Sequence, residues 1–474
     1  MSLYEGWYRP LGELENHSAY LYDNHNYGIS YVVRIATSRP TTEEDVRRVF
    51  TLLFRKTINL RMVPAERDGQ LWLREMKHHQ NIDLQTLLDV DVKAVFEEMA
   101  RYKYNMNNGP VWAVRFLPLS PKHDDYIRLT TMESADNKLI TLPHVSHIVM
   151  SFHHSITDGY TCVRIIRHVL MLLNDVIEGN PIDESQQYAQ MLDITKQNVI
   201  FEDIYRTFSE NPDLLKARSK RLDTFFPDAL LSQVYEHPSK TLPKIVSLPR
   251  ILDSITTTKF VERCKEEGVT VHSGFCSVLE ASVVKALQDA FLMQDRYPIA
   301  SRHCVDQRRY FNDATNAYGT ALGVLTLTTD VPRDICSNFW SHVKKFHQDF
   351  VDELNRMNSM ELNILMELTG KNPRFFIDSK GIDSPPPKIA TYSTSNMRDV
   401  TDILSNFVEN VDLLFYDQLT AVQALPILWS SNFQSLNGQL MHSLQYNTQL
   451  MEEALAVKIV DSAFEILKEV VEQS

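Results

Sequence analysis

The sequence predicts an α/β protein built from two domains, and three observations carry that expectation. At 474 residues the chain is longer than one ordinary hydrophobic core accommodates, so two units of about 200 residues each are the default. β-branched and aromatic runs alternate with runs of helical period through the first third, and the same alternation returns after a stretch scattered with prolines. Apolar residues at 43% and charged residues at 23% are ordinary for a globular chain.

Taken in order, "GISYVVRIA" (residues 28–36) reads as a strand. The segment "TTEEDVRRVFTLLFRKT" follows as a helix, with Thr41 and Glu44 as its capping box and Val46, Val49, Phe50 and Leu53 on one face. "GPVWAVRFLPL" (109–119) and "YIRLTTM" (126–132) read as strands, and "SHIVMSF" (146–152) as a third, apolar enough to be buried on both faces. A helix is predicted over Thr161–Ile177, with Arg164, Arg167, His168 and Asp175 outward and Val163, Ile166, Val169, Leu170 and Leu173 inward. Mixed charge and prolines from about Glu178 to Pro243, including the helical "NPDLLKARSKRLDTFF", suggest a crossover segment. The domain expectation is therefore 1–180, a crossover over 181–243, and 244–474.

The second stretch predicts a helix around "SGFCSVLEASVVKALQDAF", strands "RYPIASRHCV" and "TALGVLTLTT", and a helix around "SNFWSHVKKFHQDFVDEL". "DSKGIDSPPPK" reads as a loop, "TAVQALPILW" and "GQLMHSLQYN" as strands. The last helix carries Leu455, Ile459, Ala463, Ile466 and Val470 on its buried face.

Several function classes lose support at once. A formal net charge of −13 argues against nucleic acid, which needs clustered positive charge. The five cysteines (Cys162, Cys264, Cys276, Cys304, Cys336) are widely spaced without a C-x-x-C pair, so they read as reduced thiols rather than a disulfide frame or zinc site. The opening "MSLYEGWYRPLGELE" lacks a secretory pattern, and no run is long enough to span a membrane. The expectation is a soluble, cytoplasmic protein.

The chemistry concentrates in His153–His154–Ser155–Ile156–Thr157–Asp158–Gly159, at the junction of a buried strand and a helix. A histidine fixed at a strand end suits general-base work near neutral pH. Gly159 permits a turn that a Cβ would hinder, and Asp158 can anchor that turn by finding an arginine or by capping the helix. Adjacent strand residues face opposite ways, so the histidine pair is not expected to share a metal ion. A second His-His-x-x-x-Asp at His78–Asp83 has polar residues before it and Leu84 in place of the glycine.

HHxxxDG at the end of a buried strand, about a third of the way along a chain of this size, resembles the chloramphenicol-acetyltransferase-like superfamily. Its two-domain members include condensation domains, alcohol acetyltransferases, polyketide-associated acyltransferases and the plant BAHD enzymes. "RPLGELE", "INLRM", "GPVWAVRFLPL", "VDQRRYF", "NAYGTALG", "YSTSNM" and the closing strand and helix are similar to that family's segments, in the right order. The resemblance implies two α/β halves forming a V, with the active site in an interdomain tunnel. It implies His154 as the catalytic base, with Asp158 paired to Arg308 across the interface and His153 and Gly159 in support. Arg302 and Arg309 compete with Arg308 for the pairing. Ser395 or Asn396 is a candidate for the oxyanion or tunnel. Two departures stand out: the BAHD D-F-G-W-G block is absent, and Arg398 occupies the place of a glycine.

The expected activity is an acyl-CoA-dependent O-acyltransferase working as a monomer on small-molecule donor and acceptor, with no acyl-enzyme, no metal and no cofactor beyond the acyl-CoA co-substrate. Transfer to an amine, use of a carrier-protein thioester, and a catalytically dead binding module remain alternatives. The H-x-x-x-x-D reading of glycerolipid acyltransferases lacks its E-G-T-R-like partner block.

Overall fold

The computed structural model describes the chain except residues 1–3, 26, 78–81, 119–141, 223–228, 237, 239–243, 311–316, 371–389, 406–407, 422–424, 426 and 473–474. The expected strand at 126–132, the loop at 378–388 and the near-copy histidines lie outside the described residues.

Two large sheets organise the molecule. The first has the order β14-β2-β7-β6-β5, and its central strand, β7 (His144–His153), pairs antiparallel with β2 (Gly28–Thr37). β6 (Trp112–Pro118) and β5 (Asp83–Thr86) extend one side. Every residue of β2 is buried, Ser30, Arg34 and Thr37 included, as befits a strand covered on both faces. The helices Glu43–Lys56 and Gly159–Glu178 pack together beside this sheet. Val46, Val49, Phe50 and Leu53 are buried as the helical period requires. The capping box sits one residue later than expected: Thr42 caps the helix and Asp45 returns the bond, because Arg39 holds the Asp45 carboxylate with both guanidinium nitrogens.

The second sheet has the order β12-β10-β13-β15-β16-β9. Its members are β9 (Ile245–Ile251), β10 (Arg296–Asp306), β12 (Leu322–Pro332), β13 (Ala390–Asp399), β15 (Ile427–Leu436) and β16 (Gln439–Asn447). The helices Val271–Asp289, Phe339–Asn355 and Glu453–Val471 cover it. Leu455, Ile459, Ala463, Ile466 and Val470 are all buried in its core.

The sheets are not consecutive in the chain. β14 (Val411–Thr420) leaves the second stretch and adds antiparallel to β2, completing the first sheet. Sequence reading placed one strand across 420–429; the structure ends β14 at Thr420 and starts β15 at Ile427. β14 thus lies beyond residue 244 in the chain yet in the first sheet, since strand character in a sequence does not say which edge accepts the strand. A separate three-stranded sheet of order β1-β4-β3 (Tyr4–Pro10, Gln70–Met76, Met62–Arg67) packs Met62, Val63, Leu73 and Met76 into the core of the first. β8 (Gln190–Met191) pairs parallel with β11 (Ala317–Tyr318), tying the crossover segment to the second stretch. The helices Thr195–Glu210 and Asn358–Leu368 share a small core of their own. All five cysteines are free thiols, and no helix among the described residues is long and apolar enough to cross a membrane.

Candidate active site

β7 ends in His153, and the chain turns through residues 154–157 into the helix that begins at Gly159. The turn is buried: His153, His154, Ser155, Thr157 and Asp158 all lie inside the protein. The two histidine rings go to different neighbours, as the strand alternation requires. His153 packs between Tyr22 (centroids 4.4 Å apart) and Tyr104 (5.9 Å), while its Nδ1 accepts from the Ser155 backbone N–H at 3.1 Å. His154 instead stacks on Tyr27, with centroids 5.7 Å apart and planes 6° from parallel. Its Nδ1 is buried without a hydrogen-bond partner among the described residues.

Burial keeps both imidazoles neutral, more so His153. Desolvation, helped by the His154 charge, takes the His153 pKa down to about 3. His154 is also lowered by burial, but the charge of Asp158 and the backbone of His154 and Thr157 pull it back up in part. A neutral, fixed imidazole is what proton abstraction needs.

Asp158 does two jobs with two oxygens. Oδ1 accepts from Thr161 N–H at 2.9 Å and caps the helix; Oδ2 accepts from Arg308 at 2.6 Å and from Ala321 N–H at 2.9 Å. The Arg308 guanidinium continues to the Gly319 carbonyl (3.1 Å) and to Asp306 (3.1 Å), and lies over the Tyr160 ring. Burial opposes the charge on Asp158, yet the arginine and the backbone donors hold its carboxyl below the ordinary carboxylate range. Arg309, by contrast, is exposed and lies near Tyr310.

A strap within "NAYGTALG", a segment that sequence reading noted only as similar to the family's and gave no role, completes the junction. Gly319, Thr320 and Ala321, between β11 and β12, lie against the turn. The Thr320 hydroxyl sits 2.5 Å from the His154 carbonyl and 3.1 Å from that of Thr157. Gly319 exchanges hydrogen bonds with the Thr161 hydroxyl, its N–H donating at 3.2 Å and its carbonyl accepting at 3.0 Å. Gly319 has φ +151°, and a Cβ there would meet the Leu192 Cβ at 2.9 Å, so this position demands glycine. Tyr27 was missed as well. No local pattern says that Tyr27 or Thr320 meets the motif, because each reaches it only through strand pairing or a long-range crossover.

Gly159 plays a different part from the one expected. It is absent from the positive-φ positions, so the turn itself does not require glycine. Instead a Cβ would meet Met397 Cε at 2.6 Å and Sδ at 2.8 Å. Both atoms are the tip of a flexible side chain, so Gly159→Ala is expected to cost no more than about 1 kcal/mol as Met397 shifts, and adding Met397→Ala should remove that cost. Urea denaturation of both variants measures this; an unaltered single variant would show that the close approach is not the reason.

Met397 belongs to β13, which also carries Ser395 and Asn396. The Ser395 hydroxyl accepts from Gln418 Nε2 at 3.2 Å, and Gln418 Oε1 accepts from the Tyr31 hydroxyl at 3.0 Å, linking β13 to the first sheet. Asn396 Oδ1 accepts from Arg398 N–H at 2.7 Å. Arg398 has φ +65°, so it adopts the left-handed backbone that glycine would take more cheaply. Neither Ser395 nor Asn396 hydrogen-bonds His153 or His154 in the described structure.

No protein-family model and no curated protein sequence matches this chain. Solved structures do. Trichothecene 15-O-acetyltransferase from Fusarium sporotrichioides superposes with a TM-score of 0.67 over 98% of each chain, at 14% identity. The condensation domain of the Monacolin K polyketide synthase MokA gives 0.64 at 11% identity, over 98% of this chain and 97% of that one. Polyketide synthase associated protein 5 from Mycobacterium tuberculosis gives 0.60 at 11% identity, over the whole of both chains. The chain has the two-halved acyltransferase and condensation fold. The likeness covers both sheets and the strap between them, so the HHxxxDG turn sits within a matched architecture and not in an appended piece.

Proposed function

We propose that this chain moves an acyl group from acyl-CoA to an alcohol acceptor, giving an ester, with His154 as general base. The supporting observation is the placement of His154: buried, stacked on Tyr27, and held at its backbone by Thr320 from the other half. In this reading the imidazole takes the hydroxyl proton as the acceptor oxygen attacks the thioester carbonyl. Collapse of the tetrahedral adduct expels the thiolate, which recovers that proton, leaving ester and free thiol with no acyl-enzyme. Asp158 and Arg308 hold the turn rather than touching the reactants. Ser395 is the proposed oxyanion donor: its oxygen accepts from Gln418, which leaves its O–H available to donate.

Thiol release from a panel of acyl-CoAs, with alcohols and amines supplied separately, tests the proposal and separates ester from amide formation. A pantetheine-carrying protein as alternative donor separates CoA from carrier dependence. Because burial lowers the His154 pKa from its ordinary 6.5, kcat/KM should keep its plateau below pH 6.5 and fall only in more acidic solution. An acid limb above that pH would assign the proton transfer to another group.

A further inference from the structure

On the far side of β10 from the active site, three side chains that the proposed reaction does not use converge. His272 and Cys276 lie four residues apart, hence on one face of the helix Val271–Asp289. His303 reaches them from β10, whose next residue, Cys304, belongs to the opposite face and acts electrostatically on Tyr27. Cys276 and His303 are buried and His272 is partly buried.

The contact atoms are His272 Nε2, His303 Nδ1 and Cys276 Sγ. Their separations are 3.1 Å between the nitrogens, 3.6 Å from sulfur to His272 and 3.9 Å from sulfur to His303. With Zn–N near 2.05 Å and Zn–S near 2.3 Å, a tetrahedral ion places such ligand atoms about 3.3–3.6 Å apart. The triangle already has the size of a coordination face.

The surrounding hydrogen bonds aim lone pairs inward. The Ser301 hydroxyl donates to the Leu327 carbonyl at 3.5 Å, so it is left to accept from His303 Nε2 at 2.9 Å. That puts the ring proton on Nε2 and the His303 lone pair on Nδ1, facing the cluster, as outer partners do for metal-bound histidines. The Thr394 hydroxyl lies 2.9 Å from the same Nδ1, and with the ring proton on Nε2 it is the hydroxyl that donates. Charge is compensated too. Glu280, one turn beyond Cys276 and fully buried, contributes negative potential there while holding His342 at 2.6 Å.

We infer that His272, Cys276 and His303 bind one divalent cation of the Zn2+ class, with the Thr394 hydroxyl at the remaining position, pinning the helix to β10 and β13. Binding moves the Cys276 thiol proton to solvent and the His272 proton from Nε2 to Nδ1, leaving a thiolate and two imidazole lone pairs on the ion. Because binding releases a proton, affinity falls as pH is lowered. Sequence reading expected no metal, because the ligands pair positions 27 apart with no recognisable spacing.

The test uses chelator-treated full-length protein titrated with Co2+ and then Zn2+. Expected are one Co2+ per chain, a thiolate-to-Co2+ charge-transfer absorption, its loss on displacement by Zn2+, and a raised melting temperature with Zn2+. Cys276→Ser should abolish the charge-transfer band and Cys336→Ser should keep it. His272→Gln, at a partly exposed position that folding tolerates more easily, should weaken Co2+ binding at least about tenfold. Wild-type protein without the band, a band that survives Cys276→Ser, or unchanged affinity in His272→Gln would each overturn the inference. None of these readouts depends on acyl transfer, so the site and the proposed reaction stand or fall separately.

Discussion

His154→Ala is expected to lower kcat by roughly 100- to 10,000-fold, the usual contribution of a positioned general base, while the protein stays folded. The two halves of that expectation have separate grounds. The Thr320 strap holds residue 154 by its carbonyl, which the substitution leaves in place. The ring's Nδ1 has no hydrogen-bond partner among the described residues, so removing it strands no buried donor there. His153→Ala should behave in the opposite sense. Its ring packs between Tyr22 and Tyr104 and anchors Ser155, so the variant should lose stability first and activity in consequence. His78→Ala serves as control. Thiol-release kinetics beside circular dichroism decide the matter; a folded His154→Ala enzyme within a few-fold of wild type would remove the base from the mechanism.

The second large effect concerns Arg308. Arg308→Met leaves Asp158 buried with its backbone donors but without its counter-charge, and breaking a buried pair from one side costs about 3–5 kcal/mol. Both side chains are almost fully buried, at 6% and 5% exposure, so solvent does not soften the loss. The pH dependence has a definite sign. The Asp158 pKa is lower folded than unfolded, so its contribution is complete above the unfolded value of about 3.9 and disappears as pH falls through the folded one. Wild-type stability should therefore drop in acid, and Arg308→Met should show a shallower drop over the same window. Denaturant midpoints at neutral and acidic pH measure both. Equal stability of variant and wild type at neutral pH would mean that the pair does not hold the halves together.

These residues also show what could be read without coordinates. Val163, Ile166, Val169, Leu170 and Leu173 are buried as their spacing demands, and the all-apolar "SHIVMSF" is the strand beneath the site. Such features follow from local periodicity, which a sequence carries in full. The capping box was off by one because Thr41 and Thr42 are both competent caps, and Arg39 selects between their partners through Asp45. Gly159 was found for a reason that does not hold. A turn can be inferred locally, but the neighbour that a Cβ would crowd is Met397, which arrives from the other half.

By itself the sequence determined the two α/β units, the buried strand that ends in His153, the capped helix beginning after Asp158, and the short set of arginines able to meet that aspartate. Tertiary structure decided the rest. It put β14 in the first sheet, chose Arg308 over Arg309, sent His153 and His154 to different aromatic neighbours, and brought Thr320 onto the turn. It also assembled His272, Cys276 and His303 behind the strand. The division has one physical cause. Hydrophobic period and capping chemistry act over a few residues and are written where they act. Pairing across sheets and the encounter of two buried charges are set by packing between segments more than a hundred positions apart, and no local pattern encodes which partner arrives.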